Sequence, residues 1–254
     1  MIMDINRILY FSIKGKFAHF RKFYTNSSSL SYSIPPRTVV MGIIASVLKI
    51  PRDQYYDEFS EKNLGISVAI PSEKPITKQM QSMNYLHDKY FDLIAKGSET
   101  GKVLHSQCKL ELLTGYNHTP VEYDVYLGFN KENALLKKLE EKIIDQDYGY
   151  GIYLGQRQFR GFIDNFMVCV ENDFKFFETS TKLDTICTQG NIISLNLSPE
   201  IDLHKEQMPS GFKKTKNGRE GMGTHQVIFE KNGKRIAGEF KNAIQLNGKY
   251  ISFY

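Results

Sequence analysis

Hydrophobic and polar positions change period several times along this 254-residue chain. Residues 7–14, "RILYFSIK", alternate and are rich in β-branched and aromatic side chains, which predicts a strand ended by Gly15. In "PPRTVVMGIIASVLK", Val40, Ile43, Ile44, Val47 and Leu48 recur at helical spacing and form one apolar stripe. Pro36 suits the first turn of that helix, where its missing N–H costs nothing. "PRDQYYDEFS" (51–60) reads as a short second helix and "LGISVAIPS" (64–72) as the next strand. From Glu73 to Ser106 the period dissolves, which predicts an excursion outside the core, a hairpin arm, and "SQCKLELLTG" reads as a further strand. Residues 121–128 alternate, with Val121, Tyr123, Val125 and Leu127 facing inward and Glu122, Asp124 and Tyr126 outward. "NKENALLKKLEEKII" follows as a helix capped by Asn130, with Leu135, Leu136, Leu139 and Ile143 on one face. A glycine-rich turn, "YGYGIYLGQRQFRG", leads into the strand "FIDNFMVCVE".

This order predicts an α+β fold with a ferredoxin-like (RRM-like) βαββαβ core. The core and a thumb-like insertion at about 73–107 occupy residues 1–172, and residues 173–254, short strands joined by turns such as "KNGK" and "LNGK", form a β-rich C-terminal part. The longest uncharged apolar run, residues 39–48, is about half of what a membrane span needs. The start lacks a basic n-region and a small-residue cleavage site, so a cytoplasmic protein is expected. Cys108, Cys169 and Cys187 form no CxxC pair and the six histidines no HxxxH or HxH spacing, so neither a structural metal nor a cofactor is expected.

Charge sharpens the picture. Residues 5–52 hold eight basic side chains and no acid, while the rest of the chain holds 25 basic and 28 acidic residues. A regional cationic field is what a polyanionic partner requires. Within it, the connection Gly15–Thr38 carries Lys16, Arg21, Lys22 and Arg37 among five rings, with Lys14 just before. Cations that follow a backbone and rings that accept unstacked bases are the needs of single-stranded nucleic-acid binding. The alternative is that Phe17 and Phe20 dock the loop onto the domain and the cations only solvate it. Arg37 and Thr38 stand at a helix N-terminus, a ready anion site. A second basic run, "GFKKTKNGREG", offers Lys213, Lys214 and Lys216 as a cationic finger, and Arg157 and Arg160 are further candidates. No Walker loop, G-x-S-x-G elbow or paired-carboxylate signature is present, and no histidine has a catalytic partner at diagnostic spacing.

"FSIKGKFAHFRK" followed by "SYSIPPRTVVMGIIASVL" resembles the Cas-five family, RAMP-superfamily subunits of type I CRISPR surveillance complexes (Cascade). The matching positions are Gly15, Phe17, Ala18, Phe20 and Arg21, then Pro36, Arg37, Thr38 and Gly42, in a form most like the type I-B branch. The resemblance implies a non-catalytic subunit that grips the 5′ handle of CRISPR RNA and caps the backbone filament in antiviral defence. Its implied partners are the Cas-seven backbone subunit, the large Cascade subunit and, through the complex, target DNA. It assigns Lys16, Arg21 and Arg37 to phosphates and Phe17, His19 and Phe20 to bases or to the shape of the handle pocket. Its thumb maps to 73–107, with Met80, Met83 or Tyr85 as the wedge that kinks the guide. The enzymatic alternative, a metal-independent type I-C-like endoribonuclease, would draw on His87, Lys89 and His105, which lack an adjacent Lys–His pair. A protein-only scaffold is the third reading.

Overall fold

The computed structural model describes residues 4–25, 29–86, 90–97, 105–216 and 218–254. It is a mixed α/β structure, antiparallel throughout its named sheets, with few helices. Strand β1 (Arg7–Gly15) leads through two two-residue strands, β2 (Phe20–Arg21) and β3 (Ser31–Tyr32), to helix α1 (Arg37–Val47). The stripe read from the sequence is the buried face of α1: Val40, Ile43, Ile44, Val47 and the following Leu48 are at most 5% exposed. At roughly 1.5–3 kcal/mol for each large apolar side chain buried, this outweighs the missing side-chain cap at Pro36, worth about 1 kcal/mol.

Residues 51–60 form successive turns, where the sequence reading had a helix. Asp53 takes a positive φ of 63° there, and Tyr55, Tyr56 and Phe59 anchor the segment by burial instead. Strand β4 (Gly65–Ala69) follows, and then the arm, β5 (Ile76–Leu86) and β6 (His105–Gly115), with the five-residue helix α2 (Phe91–Ala95) between them. The two strands pair in unbroken register from Ile76↔Gly115 to Leu86↔His105, so "SQCKLELLTG" is the return limb of the arm. Only the base is buried, through Ile76, Leu110, Leu112 and Leu113, and the exposed outer part shows no burial period for a sequence reading to detect.

Strand β7 (Val121–Phe129), helix α3 (Ala134–Ile144), β8 (Ile152–Tyr153) and β9 (Arg160–Val170) complete the first sheet, in the order β4-β7-β1-β9-β8. Helix α3 is capped by Asn133, whose side chain accepts from the Leu135 and Leu136 amides; Asn130, the expected cap, opens the preceding turn. Both longer helices pack on one face of this sheet, with Leu9, Phe11, Ile13, Tyr123 and Val125 meeting Ile44, Val47, Leu136 and Leu139.

The other face is covered as well. Glu122, Asp124 and Tyr126, expected outward, are buried, because the later strands pack there. The later strands are β10 (Phe174–Leu183), β11 (Cys187–Thr188), β12 (Ile192–Leu195), β13 (Leu203–Pro209), β14 (Phe212–Thr215), β15 (Gly218–Gly221), β16 (Thr224–Glu230), β17 (Ile236–Leu246) and β18 (Lys249–Ser252). Of these, β10, β17 and β18 cover this face, whereas Met208 of β13 and Val227 and Phe229 of β16 join the helix-side core. Phe174, Ile244, Leu246 and Ile251 meet Ile8, Tyr126 and Cys169. The Asp124 carboxylate is satisfied in this layer: Lys249 reaches it at 2.8 Å, and Tyr10 and Ser12 donate to it at 2.9 and 3.1 Å. Strands β10, β17, β12 and β18 form one sheet, β11, β16 and β13 another, and β14–β15 a separate hairpin. Asn247 and Gly248, at φ 49° and 76°, make the tight "LNGK" turn between β17 and β18. Tyr254 closes the fold: it exchanges backbone hydrogen bonds with Ile66 on the edge of β4 and lies in the same core as α1. Among the described residues, no helix is long and apolar enough to cross a membrane.

Candidate nucleic-acid interface

The connection between β1 and α1 is sewn down near the start of its aromatic run. Ala18 exchanges backbone hydrogen bonds with Leu113 of β6, and the His19 amide donates to Leu154 O at 3.1 Å. The His19 ring is buried, with Nδ1 2.8 Å from Glu111 O and Nε2 3.0 Å from Ser29 Oγ. Burial lowers its pKa, and the contact with the Glu111 carbonyl acts the other way. Phe20 is a core ring packed edge-on to Tyr123, and Phe17 packs against Phe159 beside Leu110 and Met83. These three side chains are thus placed to shape the loop from beneath.

The cations divide in two. Lys14 is engaged by Asp164 at 2.6 Å and Glu122 at 3.5 Å, and Lys22 by Glu206 at 2.7 Å, with the Tyr24 and Tyr32 rings under its ammonium. Burial alone would lower the Lys22 pKa, but the Glu206 hydrogen bond leaves it raised. Arg37 is 1% exposed and turns away from the helix mouth: it donates to Phe59 O at 2.8 Å, Leu64 O at 2.6 Å and the Tyr254 backbone oxygen. Its donors are spent inside the fold, where the sequence reading had a phosphate contact. Gly15 is packed closely under Leu154 and the Arg160 carbonyl. Lys16 is exposed, its ammonium 5.6 Å from the Phe17 ring.

The remaining cations converge on a groove along the outer face of α1, where Asp53 pairs with Arg52 at 3.5 Å and with Arg219 at 3.7 Å. Two cavities, of about 800 and 530 Å³, share Gly42, Ser46, Arg52, Tyr55, Gly151, Tyr153 and Gly155 and so form one continuous surface. Five arginines line it: Arg21, Arg52, Arg157, Arg160 and Arg219. Rings stand between them, with Phe23, Tyr150 and Tyr153 exposed by 53, 68 and 42%. Among the described residues, no aspartate or glutamate lines either cavity. Thr38 lies on the wall, half-buried.

Local structure explains the wall. Gly155, at φ 91°, lies so close to the His19 carbonyl that a Cβ would come within 1.8 Å, so the glycine-rich turn clamps directly onto the loop. Ser46 of α1 donates to Gly151 O at 2.6 Å, tying the same turn to the helix. At the other end Arg219 of β15 stacks over Phe212, 4.5 Å from its centroid, and donates to the Tyr56 hydroxyl at 3.3 Å. Arg21 donates only to the Thr25 carbonyl at 3.1 Å, and Arg157 and Arg160 have no ion pair among the described residues. Tyr55 is pushed up to about 12 by burial, so its phenol stays neutral.

Arg52, Arg219, Tyr150 and Tyr153 were not singled out as site residues from the sequence. They come from three separate segments, and the signal that pointed nearest to them was the run "GQRQFR". Lys213, Lys214 and Lys216 are exposed on the β14–β15 hairpin beside Arg219. Of the wedge candidates, Met80 is 51% exposed, Met83 packs at the arm's base side with Leu110, and Tyr85 donates to Gln156 at 2.8 Å. His87 and Lys89 lie outside the described residues, and His105 is exposed at the start of β6.

No protein-family model and no curated protein matches this sequence. Among solved structures, the chain is similar to a CRISPR protein from Archaeoglobus fulgidus, with 10% identity and a TM-score of 0.53 over 96% of this chain and 97% of that one. A chain of a CRISPR RNA-guided surveillance complex is similar at 14% identity and a TM-score of 0.49, covering 87% and 90%. A chain of the type III-B Cmr-beta complex bound to cognate target RNA and AMPPnP gives 12% identity and a TM-score of 0.44, covering 91% and 86%. The likeness is one of fold, and the Archaeoglobus protein carries it.

Proposed function

We propose that this chain is a non-catalytic subunit of a CRISPR RNA-guided surveillance complex and holds single-stranded CRISPR RNA in the arginine-lined groove. The observation that carries this reading is the groove itself: five arginines and interleaved rings on one surface, with Asp53 the one acid paired to any of them among the described residues. Arginine forks take phosphate oxygens, and exposed rings take unstacked bases. The fold-likeness to a CRISPR protein supports the setting. So does the strand order β4-β7-β1-β9 with helices after β1 and β7, the order of the ferredoxin-like core that RAMP proteins have. In this reading the groove grips the 5′ handle and the β5–β6 arm is the thumb. The chain caps the filament in the cytoplasm, beside a Cas-seven backbone subunit and the large subunit, and meets target DNA only through the complex.

The test is binding of labelled CRISPR repeat RNA and its handle to the full chain, in chelator, across a salt series. Contact with three to five phosphates gives log K against log salt a slope of about −2 to −3.5 on a single strand. Arg157→Ala with Arg160→Ala, and separately Arg21→Ala, weaken binding and make the slope shallower. Salt-independent binding, or wild-type affinity in both variants, rejects the groove. A discrete cut in the RNA rejects the non-catalytic role.

A further inference from the structure

A second cavity, of about 320 Å³, opens at β10, an edge strand that pairs with β17 alone. Its walls are aromatic, formed by Phe176 and Phe177 of β10 with Phe253, and Phe176 is 52% exposed. Among the described residues its charged groups are Glu61 and Glu178, and no lysine or arginine lines it. It shares no residue with the arginine groove and reverses its sign.

Of its polar groups, Glu178 is exposed to solvent, Glu61 is bonded to a histidine and the Tyr254 hydroxyl is buried. The Glu178 carboxylate has neither a hydrogen bond nor an ion pair among the described residues. Asn242 of β17 stands at φ 55°, and Glu178, opposite it, drops out of the ladder between Phe177↔Ala243 and Thr179↔Lys241. Glu61 engages His225 through one oxygen at 2.7 Å. Tyr254 also lines the cavity, and its hydroxyl is buried with no hydrogen-bond partner.

We propose that this cavity receives an arginine side chain presented by another protein chain. Two carboxylates repel a nucleic-acid backbone and attract a cation. The volume is at the small end for ligand pockets and suits one long side chain with its neighbours. A guanidinium stacks on phenylalanine faces while its fork meets a carboxylate, which a lysine ammonium does less well. The exposed Phe176 gives apolar contact to residues flanking the arginine. This proposal is independent of the RNA reading, and neither fails with the other.

The test is titration of the full chain with the acetylated, amidated peptide Ala-Leu-Arg-Leu-Ala, and with the same peptide carrying citrulline for arginine. Backbone amide shifts of Gly65, Asn191 and Asn242 report occupancy by NMR. The arginine peptide is expected to move these signals, with the citrulline peptide about tenfold weaker because the charge-assisted hydrogen bonds are gone. Glu178→Gln removes an unpartnered carboxylate, so the fold is unchanged, and weakens the arginine peptide up to about fivefold. Phe176→Ala weakens both peptides. Equal affinity for the two peptides, shifts confined to other residues, or no shift at about 5 mM peptide, where a millimolar site is mostly filled, each overturns the proposal.

Discussion

Arg37 directs three guanidinium hydrogen bonds to backbone oxygens in a buried part of the core. Replacing it by methionine keeps the stem but leaves those oxygens without donors, at about 1–3 kcal/mol each where no water reaches. We expect Arg37→Met to lower unfolding free energy by roughly 3–5 kcal/mol in urea titration; a loss under about 1 kcal/mol would show that the oxygens find other donors. His19 carries a pH dependence. Its folded pKa lies below the ordinary 6.5, chiefly through burial, so the unfolded chain takes up the proton first. Its contribution is complete above 6.5 and is lost as pH falls through 6.5 toward the folded value. The melting temperature should therefore drop between about pH 7.5 and 5.5, and the drop should be shallower in His19→Gln; parallel curves would remove His19 as the cause. Neither role was legible from the sequence. A histidine or arginine in a basic loop looks the same whether it faces solvent or carbonyls, and the partners at Glu111, Phe59, Leu64 and Tyr254 are brought in by folding.

At the scale of elements, strong period was enough. β1, α1, β4, β7 and β9 fall where alternation or the helical stripe put them, because one face of each packs on a continuous core. The arm escaped because its outer half buries neither face, and the turns at 51–60 escaped because closely spaced rings imitate half of a helical stripe. The β14–β15 hairpin supplies a prediction at this scale. Lys213, Lys214 and Lys216 are exposed and make no ion pair among the described residues, whereas Arg219 is stacked and hydrogen-bonded. Replacing the three lysines by alanine should weaken RNA and single-stranded DNA alike and flatten the salt slope, as untethered charge does. Arg219→Ala should instead cost more on handle RNA than on an unrelated strand. Fluorescence anisotropy at two salt concentrations separates the two patterns, and identical losses for both variants would deny the stacked arginine any positioning role.

Across the whole molecule, an acid-free stretch of sequence does not make an acid-free region of space. The basic residues of 5–52 were legible as a cluster, yet Arg7 is paired with Glu140, Lys14 with Asp164 and Lys22 with Glu206, all acids far along the chain. The groove recruits Arg157, Arg160 and Arg219 in their place, and the carboxylate-lined cavity takes the opposite sign elsewhere. Charge is sorted by folding into two surfaces that composition could not separate.

The contact between Arg37 and Tyr254 spans 217 residues. At the usual pace of translation, about 5–20 residues per second, residue 37 precedes its last acceptor by on the order of ten to forty seconds. Through that interval the nascent chain carries an arginine whose pocket is incomplete, and the edge of β4 has no Tyr254 to pair with. Every strand of the first sheet is in hand by Val170, yet the Arg37 pocket beside α1 still lacks one of its three acceptors until residue 254 has been made.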